Sequence, residues 1–165
     1  MVDKINPIRE TSDEARALAR SLICNATFAS IAVLEPETNH PLVSRIAVGT
    51  IEGKANEPFF LASDLSNHTK ALLVDNRTSI LFGEPPQKGD PLAFARVTII
   101  GTVEKITRDH ESYKERHAFW LSKHPKSQLY IDFGDFNFYA LKVDRVLLNG
   151  GFGKAFEMLG KDLVE

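Results

Sequence analysis

Cys24 is the only cysteine among 165 residues. That excludes an intrachain disulfide and a thiolate zinc site and suits a reducing compartment, so the cytoplasm is the expected location. Charge of one sign is lacking too. Twenty Lys and Arg against 22 Asp and Glu leave a net −2, too little to draw the chain to nucleic acid or an anionic membrane. No apolar run approaches the roughly 20 residues that cross a bilayer, and Met1-Val2-Asp3-Lys4-Ile5-Asn6-Pro7 lacks the apolar stretch of a signal peptide. Neither secretion nor membrane insertion is expected. Linker-like segments and fixed-period repeats are absent, so residues 1–165 read as one domain. An HExxH pair, a Walker lysine loop, a nucleophile elbow and a strand-following GxGxxG are also missing; Gly151-Phe152-Gly153 only begins the last of these. No metal site is expected.

What is present is a core. The hydrophobic fraction of 43%, with 11 Phe, is that of a folded chain. Thr11-Ser12-Asp13-Glu14 offers a capping-box start, after which Ala15, Leu18, Ala19, Leu22 and Ile23 recur on one helical face. From Phe28 the pattern is extended: a strand to Leu34, a turn at Glu35-Pro36-Glu37-Thr38-Asn39, a strand over 42–51 and a short buried strand over 58–61. Helical spacing over 69–74 and a strand over 79–82 follow. Pro85, Pro86 and Pro91 break the next stretch into a loop, since proline lacks the donor a ladder needs.

A long strand over 94–106 follows, with Gly101 marking a bulge or close approach. Residues 109–123 read as a helix ended by Pro125, and 136–148 as a strand, with Gly150-Gly151-Phe152-Gly153 a flexible end to the sheet. His110, His117 and His124 repeat at seven residues, two turns or about 10.5 Å apart on one helix, too far to share a metal; a solvent-facing stripe is expected. Short turns between strands rule against alternating βαβ units. The fold class is mainly β (α+β), an antiparallel barrel with flanking helices, whose closure removes sheet edges.

The segment Leu61-Ala62-Ser63-Asp64-Leu65-Ser66-Asn67-His68-Thr69-Lys70 carries the chemistry. A buried strand ends, hydroxyl and amide side chains follow, and a helix begins. Unpaired N–H groups and the positive end of a helix dipole suit an anion such as phosphate. Ser63 and Thr69 offer hydroxyls and Lys70 a charge. The plainer reading has Ser66 or Asn67 capping the helix and Lys70 in solvent. Arg45, among apolar neighbours in Val43-Ser44-Arg45-Ile46-Ala47-Val48-Gly49, needs a partner: a phosphate, a carboxylate, or simply water.

Phe59-Phe60-Leu61-Ala62-Ser63-Asp64-Leu65-Ser66-Asn67-His68-Thr69-Lys70 resembles the phosphate-binding segment of pyridoxamine 5′-phosphate oxidase-like flavoproteins, most closely their haem-utilisation branch. Gly89-Asp90-Pro91-Leu92-Ala93 leading into Arg96-Val97-Thr98-Ile99-Ile100-Gly101 adds to the likeness. So do His124-Pro125, and Tyr130-Ile131-Asp132-Phe133-Gly134-Asp135-Phe136 running on to Gly150-Gly151-Phe152-Gly153. The resemblance implies an FMN-binding split β-barrel, a homodimer with FMN at the subunit interface. It implies that Arg45, Ser63, Thr69 and Lys70 hold the phosphate, that Ser44, Ala47 and Ala62 line the flavin, that His68 assists, and that Arg96 approaches from the second subunit.

The C-terminal arginine and histidine signature of true pyridoxamine phosphate oxidases is not found, and no histidine follows His124 to serve as the haem ligand that branch places near its C-terminus. The expected function is an FMN-dependent oxidoreductase acting on a small-molecule substrate or electron donor. Haem binding or degradation in iron utilisation, and a non-enzymatic dimeric binding protein, are the alternatives.

Overall fold

A computed structural model describes residues 8–164. The alternating segments form one sheet of β1 (Ile8–Arg9), β2 (Phe28–Leu34), β3 (Pro41–Gly49), β4 (Phe59–Ser63), β5 (Arg77–Phe82), β6 (Arg96–Ile106), β7 (Phe136–Asn149) and β8 (Ala155–Leu159). Three helices accompany it: α1 (Asp13–Asn25), α2 (Asn67–Val74) and α3 (Tyr113–Lys123). The strand order is β1-β8-β7-β4-β3-β2-β5-β6, and a further β6–β7 pairing closes it into a barrel. Every pairing is antiparallel except β1 with β8. Among the described residues no helix is long and apolar enough to cross a membrane.

Period-2 alternation sends Ile31, Val33, Ile46, Val48, Phe60, Ile80, Phe82, Val97, Ile99 and Leu141 into the barrel, all at most 5% exposed. A smaller cluster of Phe59, Ile106, Trp120, Ile131, Phe138 and Ala140 lies apart from it and includes residues of α3. There the Phe59 ring meets Trp120 at 5.8 Å and Phe138 at 5.6 Å. Helix α1 starts one residue later than a Thr11 cap would place it. Ser12 Oγ accepts from Ala15 N at 3.2 Å, while Thr11 Oγ1 donates to Glu157 O at 3.0 Å and ties the helix entry to β8. Ala15, Ala19 and Ile23 face the core as the spacing predicts.

Two expectations are corrected. The segment 150–153 is the turn of a β7–β8 hairpin, with Gly151 and Gly153 at φ 109° and 66°, and Ala155–Leu159 then pairs with Arg145–Asn149. Ala-Phe-Glu-Met-Leu is rich in good helix formers, so sheet pairing here overrides local preference. The histidine stripe does not form either, because α3 begins at Tyr113 and ends at Lys123. His110 Nδ1 accepts from Ser112 N at 3.2 Å, and His117 Nε2 lies 3.1 Å from Asp132. His124, the C-cap, donates from Nε2 to Val48 O at 2.8 Å and lies on Trp120 at 4.3 Å.

The bulge foreseen at Gly101 is present, with the β6–β7 register shifting between Ile100 and Gly101. A Cβ there would stand 2.0 Å from Lys142 O. Gly101→Ala is expected to destabilise the barrel by about 3 kcal/mol or more. Gly134→Ala, whose Cβ meets nothing within 4 Å, should change stability by less than about 0.5 kcal/mol. Denaturant midpoints of the two variants check this, and equal midpoints would refute the close packing.

Candidate functional site

β3 and β4 pair only at Val48↔Phe60 and Gly49↔Phe59. Beyond these the ladder stops, although the same register continued would set Ala47 against Leu61 and Arg45 against Ser63. β4 then leads through Asp64, Leu65 and Ser66 into α2, which packs on β2 and β3 and sends Thr69, Ala71 and Leu72 into the core. The parting of β3 and β4 therefore leaves a mouth with a helix start beside it.

The loop at this mouth is tied down in detail. Asp64 N donates to Asp135 O at 2.7 Å. Ser63 Oγ donates to Asp135 Oδ2 at 2.5 Å and accepts from Leu65 N at 3.1 Å. Ser66 is the N-cap of α2, yet its hydroxyl donates to Ser63 O at 2.6 Å and lies 3.0 Å from Thr69 Oγ1. No side chain caps α2, and no acidic residue sits in its first turn. The first-turn N–H groups keep their partial positive charge with no side-chain acceptor.

The Asp64 carboxylate is the hub of the loop. It accepts from Tyr139 OH at 2.9 Å, from Lys105 Nζ at 3.2 Å and from Asn137 Nδ2 at 3.2 Å. Burial pushes the Asp64 carboxyl up, but the bonds from Tyr139, Lys105 and Asn137 outweigh that, so it titrates below the ordinary Asp range. Burial, then the bond to Asp64 and its charge, pushes the Tyr139 phenol up. Burial pushes the His68 imidazole down, which favours its neutral form, and its Nε2 is buried without a hydrogen-bond partner. The ring stands edge-on to Phe60, 6.5 Å away.

The residues singled out from the sequence do not share one face. Arg45, Ala47 and Ser63 lie on the outer face at the mouth. Arg45 sits over the Phe28 ring at 5.3 Å and 3.7 Å from Glu84, with 71% of its side chain exposed. Ser44 and Ala62 belong to the opposite, inward face, paired with Ile31 and Asn137. Thr69 is wholly buried, so its hydroxyl serves the loop. Lys70 is exposed beside a depression of about 300 Å³ that Leu42, Asn67 and the β2–β3 turn also line. Arg96 stands three strands along the sheet from β3, donating to Leu92 O and Phe94 O at 3.3 Å.

Sequence reasoning missed Asp135, Asn137 and Tyr139, which meet the loop from more than 70 residues away. The signal was there in Asn137 and Tyr139, two polar side chains on a face of β7 that continues with Leu141 and Val143.

The chloroplastic haem oxygenase HOZ of Arabidopsis thaliana is 32% identical over 99 residues, covering 60% of this chain and 29% of that protein. A haem binding protein from Mycobacterium smegmatis superposes with a TM-score of 0.81 at 29% identity, over 94% of this chain and 61% of that one. The chain thus spans less than two thirds of either relative. A pyridoxinephosphate oxidase family protein from Clostridium acetobutylicum, related to general stress protein 26, superposes with a TM-score of 0.69 at 12% identity, over 93% of this chain and 99% of that one. That likeness is one of fold alone, an antiparallel split barrel. With a match that runs from residue 10 to residue 162, the chain belongs to the family described as CREG, beta-barrel.

Proposed function

We propose that this chain is an FMN-binding flavoprotein with oxidoreductase function, its phosphate site at the mouth between β3 and β4. The observation that carries this reading is the start of α2, where no side chain caps the helix, the first turn holds no acidic residue and Lys70 stands exposed one turn in. A phosphate monoester there would be held by the first-turn N–H groups and Lys70, with Arg45 adding a second charge. Thr69 contributes its backbone N–H, since its side chain is enclosed, and His68 does the same. Ser63 joins when its hydroxyl leaves Asp135. Ala47, and Ser44 and Ala62 through their backbones, border the path from phosphate to ring. The flavin itself supplies the electron chemistry when bound.

The homodimer belongs to the same proposal. The outer face around Arg45 also exposes Val43 (64%), Leu81 (43%) and Leu147 (38%), an apolar surface that a second copy would cover. Arg96, on that face, is the residue we expect to reach the partner's site.

Haem is a second reading, favoured by the haem oxygenase and haem-binding names of two relatives, 32% and 29% identical. Its propionates would use the same cations and N–H groups. The absorbance spectrum of the purified protein, before and after loading with FMN or haemin, separates the two. A protein that takes up neither would overturn both readings.

Lys70→Ala and Arg45→Ala should each weaken FMN binding about tenfold or more, the worth of one charge-assisted bond, while Thr69→Val should leave affinity within about twofold. Fluorescence titration reads all three. Loss in Thr69→Val alone would misplace the anion site. Asp135→Asn should tighten FMN, because it removes a carboxylate that holds the Ser63 hydroxyl and repels phosphate. Weaker binding in that variant would show that Asp135 supports the site.

A further inference from the structure

The segment 130–136 gives only Ile131 to the core, yet it is firmly built. Phe133 N donates to Tyr130 O at 3.0 Å and Phe136 N to Phe133 O at 3.1 Å, two consecutive turns. Arg108 Nη2 clamps the outside, donating to Asp132 O at 2.7 Å and Phe133 O at 3.0 Å. Ile131, wholly buried, anchors the inside. On this rigid loop the rings point away from the core: Phe133 is 56% exposed and Tyr130 37%. Both gather on Phe136, with centroids at 6.5 Å and 5.0 Å. Apolar Leu65 and Leu129, 72% and 80% exposed, belong to the β4–α2 loop and to the turn before Tyr130.

Register connects these rings to the mouth. Phe136 pairs directly with Ser63, so their side chains share the outer face about 5 Å apart. The order across the surface is therefore the helix start and Ser63, then Phe136, then Tyr130 and Phe133. A polar, anion-seeking end continues into an exposed aromatic surface. A ligand with a charged arm and a large flat ring matches that sequence of chemistries, because an offset-stacked ring gains from aromatic neighbours what a bare phosphate cannot.

We propose that Tyr130, Phe133 and Phe136 form the platform against which the planar ring of the bound ligand packs, the anionic arm lying at the start of α2. This rests on the anion site proposed above and adds the part that selects a flat aromatic ligand over a simple phosphate. The rigidity of the loop means that little order is lost on binding. The exposed rings also explain why a soluble surface carries several large apolar side chains side by side.

The test replaces rings by apolar side chains of similar bulk. Tyr130→Leu/Phe133→Leu is titrated with FMN and with haemin beside the wild type, with inorganic phosphate as a competitor and sedimentation to read oligomeric mass. Unaltered circular dichroism and unfolding midpoint confirm the fold, as both rings are solvent-facing. The expected result is about a tenfold loss of affinity for whichever ligand the wild type binds. The flavin would emit more strongly when bound, and phosphate competition and mass would not change. Unchanged affinity and emission would overturn the platform while leaving the anion site standing. A fall in mass with unchanged affinity would overturn it in favour of an interface between copies. A wild type that binds neither FMN nor haemin would overturn platform and anion site together.

Discussion

β7 hydrogen-bonds to three strands, and that sharing determines where the candidate site can be. Along one edge it takes β4 at Phe136–Ala140 and β8 at Arg145–Asn149, while the other edge takes β6 from Phe138 onward. A 14-residue strand has room for this only if it bends, and the Gly101 bulge in its partner supplies the bend. Closure then forces the first residues of β7 against the last residues of β4. Asp135, Asn137 and Tyr139 reach the β4–α2 loop for that reason, although they are distant in sequence. The loop keeps its shape through bonds to β7, which releases the start of α2 from needing a cap of its own.

The charges at this end of the barrel divide by how firmly they are held. Lys105 and Asp64 are about two thirds enclosed and bonded within a four-residue network. Opening that network would leave unsatisfied polar groups, each costing about 1–3 kcal/mol. Arg45 and Glu84, by contrast, are 3.7 Å apart and mostly exposed, a pair worth about 0–1 kcal/mol. Because so little holds that pair, Arg45 can leave Glu84 for another anion at little cost. A net charge of −2 conceals this division, since the sum counts held and exchangeable charges alike.

Much of the fold was legible because it depends on local pattern. Alternation placed β2 to the residue, proline closed off the loop after β5, and Gly101 announced the bulge. β8 was not legible, because Ala-Phe-Glu-Met-Leu prefers a helix and becomes a strand only when β7 offers an edge. At the site, the sequence identified the helix start and its lysine. It could not tell that Thr69 would be enclosed or that Ser63 would already be bonded to Asp135. Those facts depend on which strand lies alongside, and a single chain of letters does not state its neighbours.

Flavin and haem make the same two demands, a seat for an anionic arm and a flat surface for a ring, and differ in what they ask of histidine. Of the five histidines, His110, His117 and His124 already hold Ser112, Asp132 and Val48 through ring nitrogens. His68 keeps a free Nε2, but it is buried. His40 alone is exposed, and it stands immediately before β3. A haem would ask one of these side chains, or a group other than histidine, to meet its iron, whereas a flavin needs no such ligand at all.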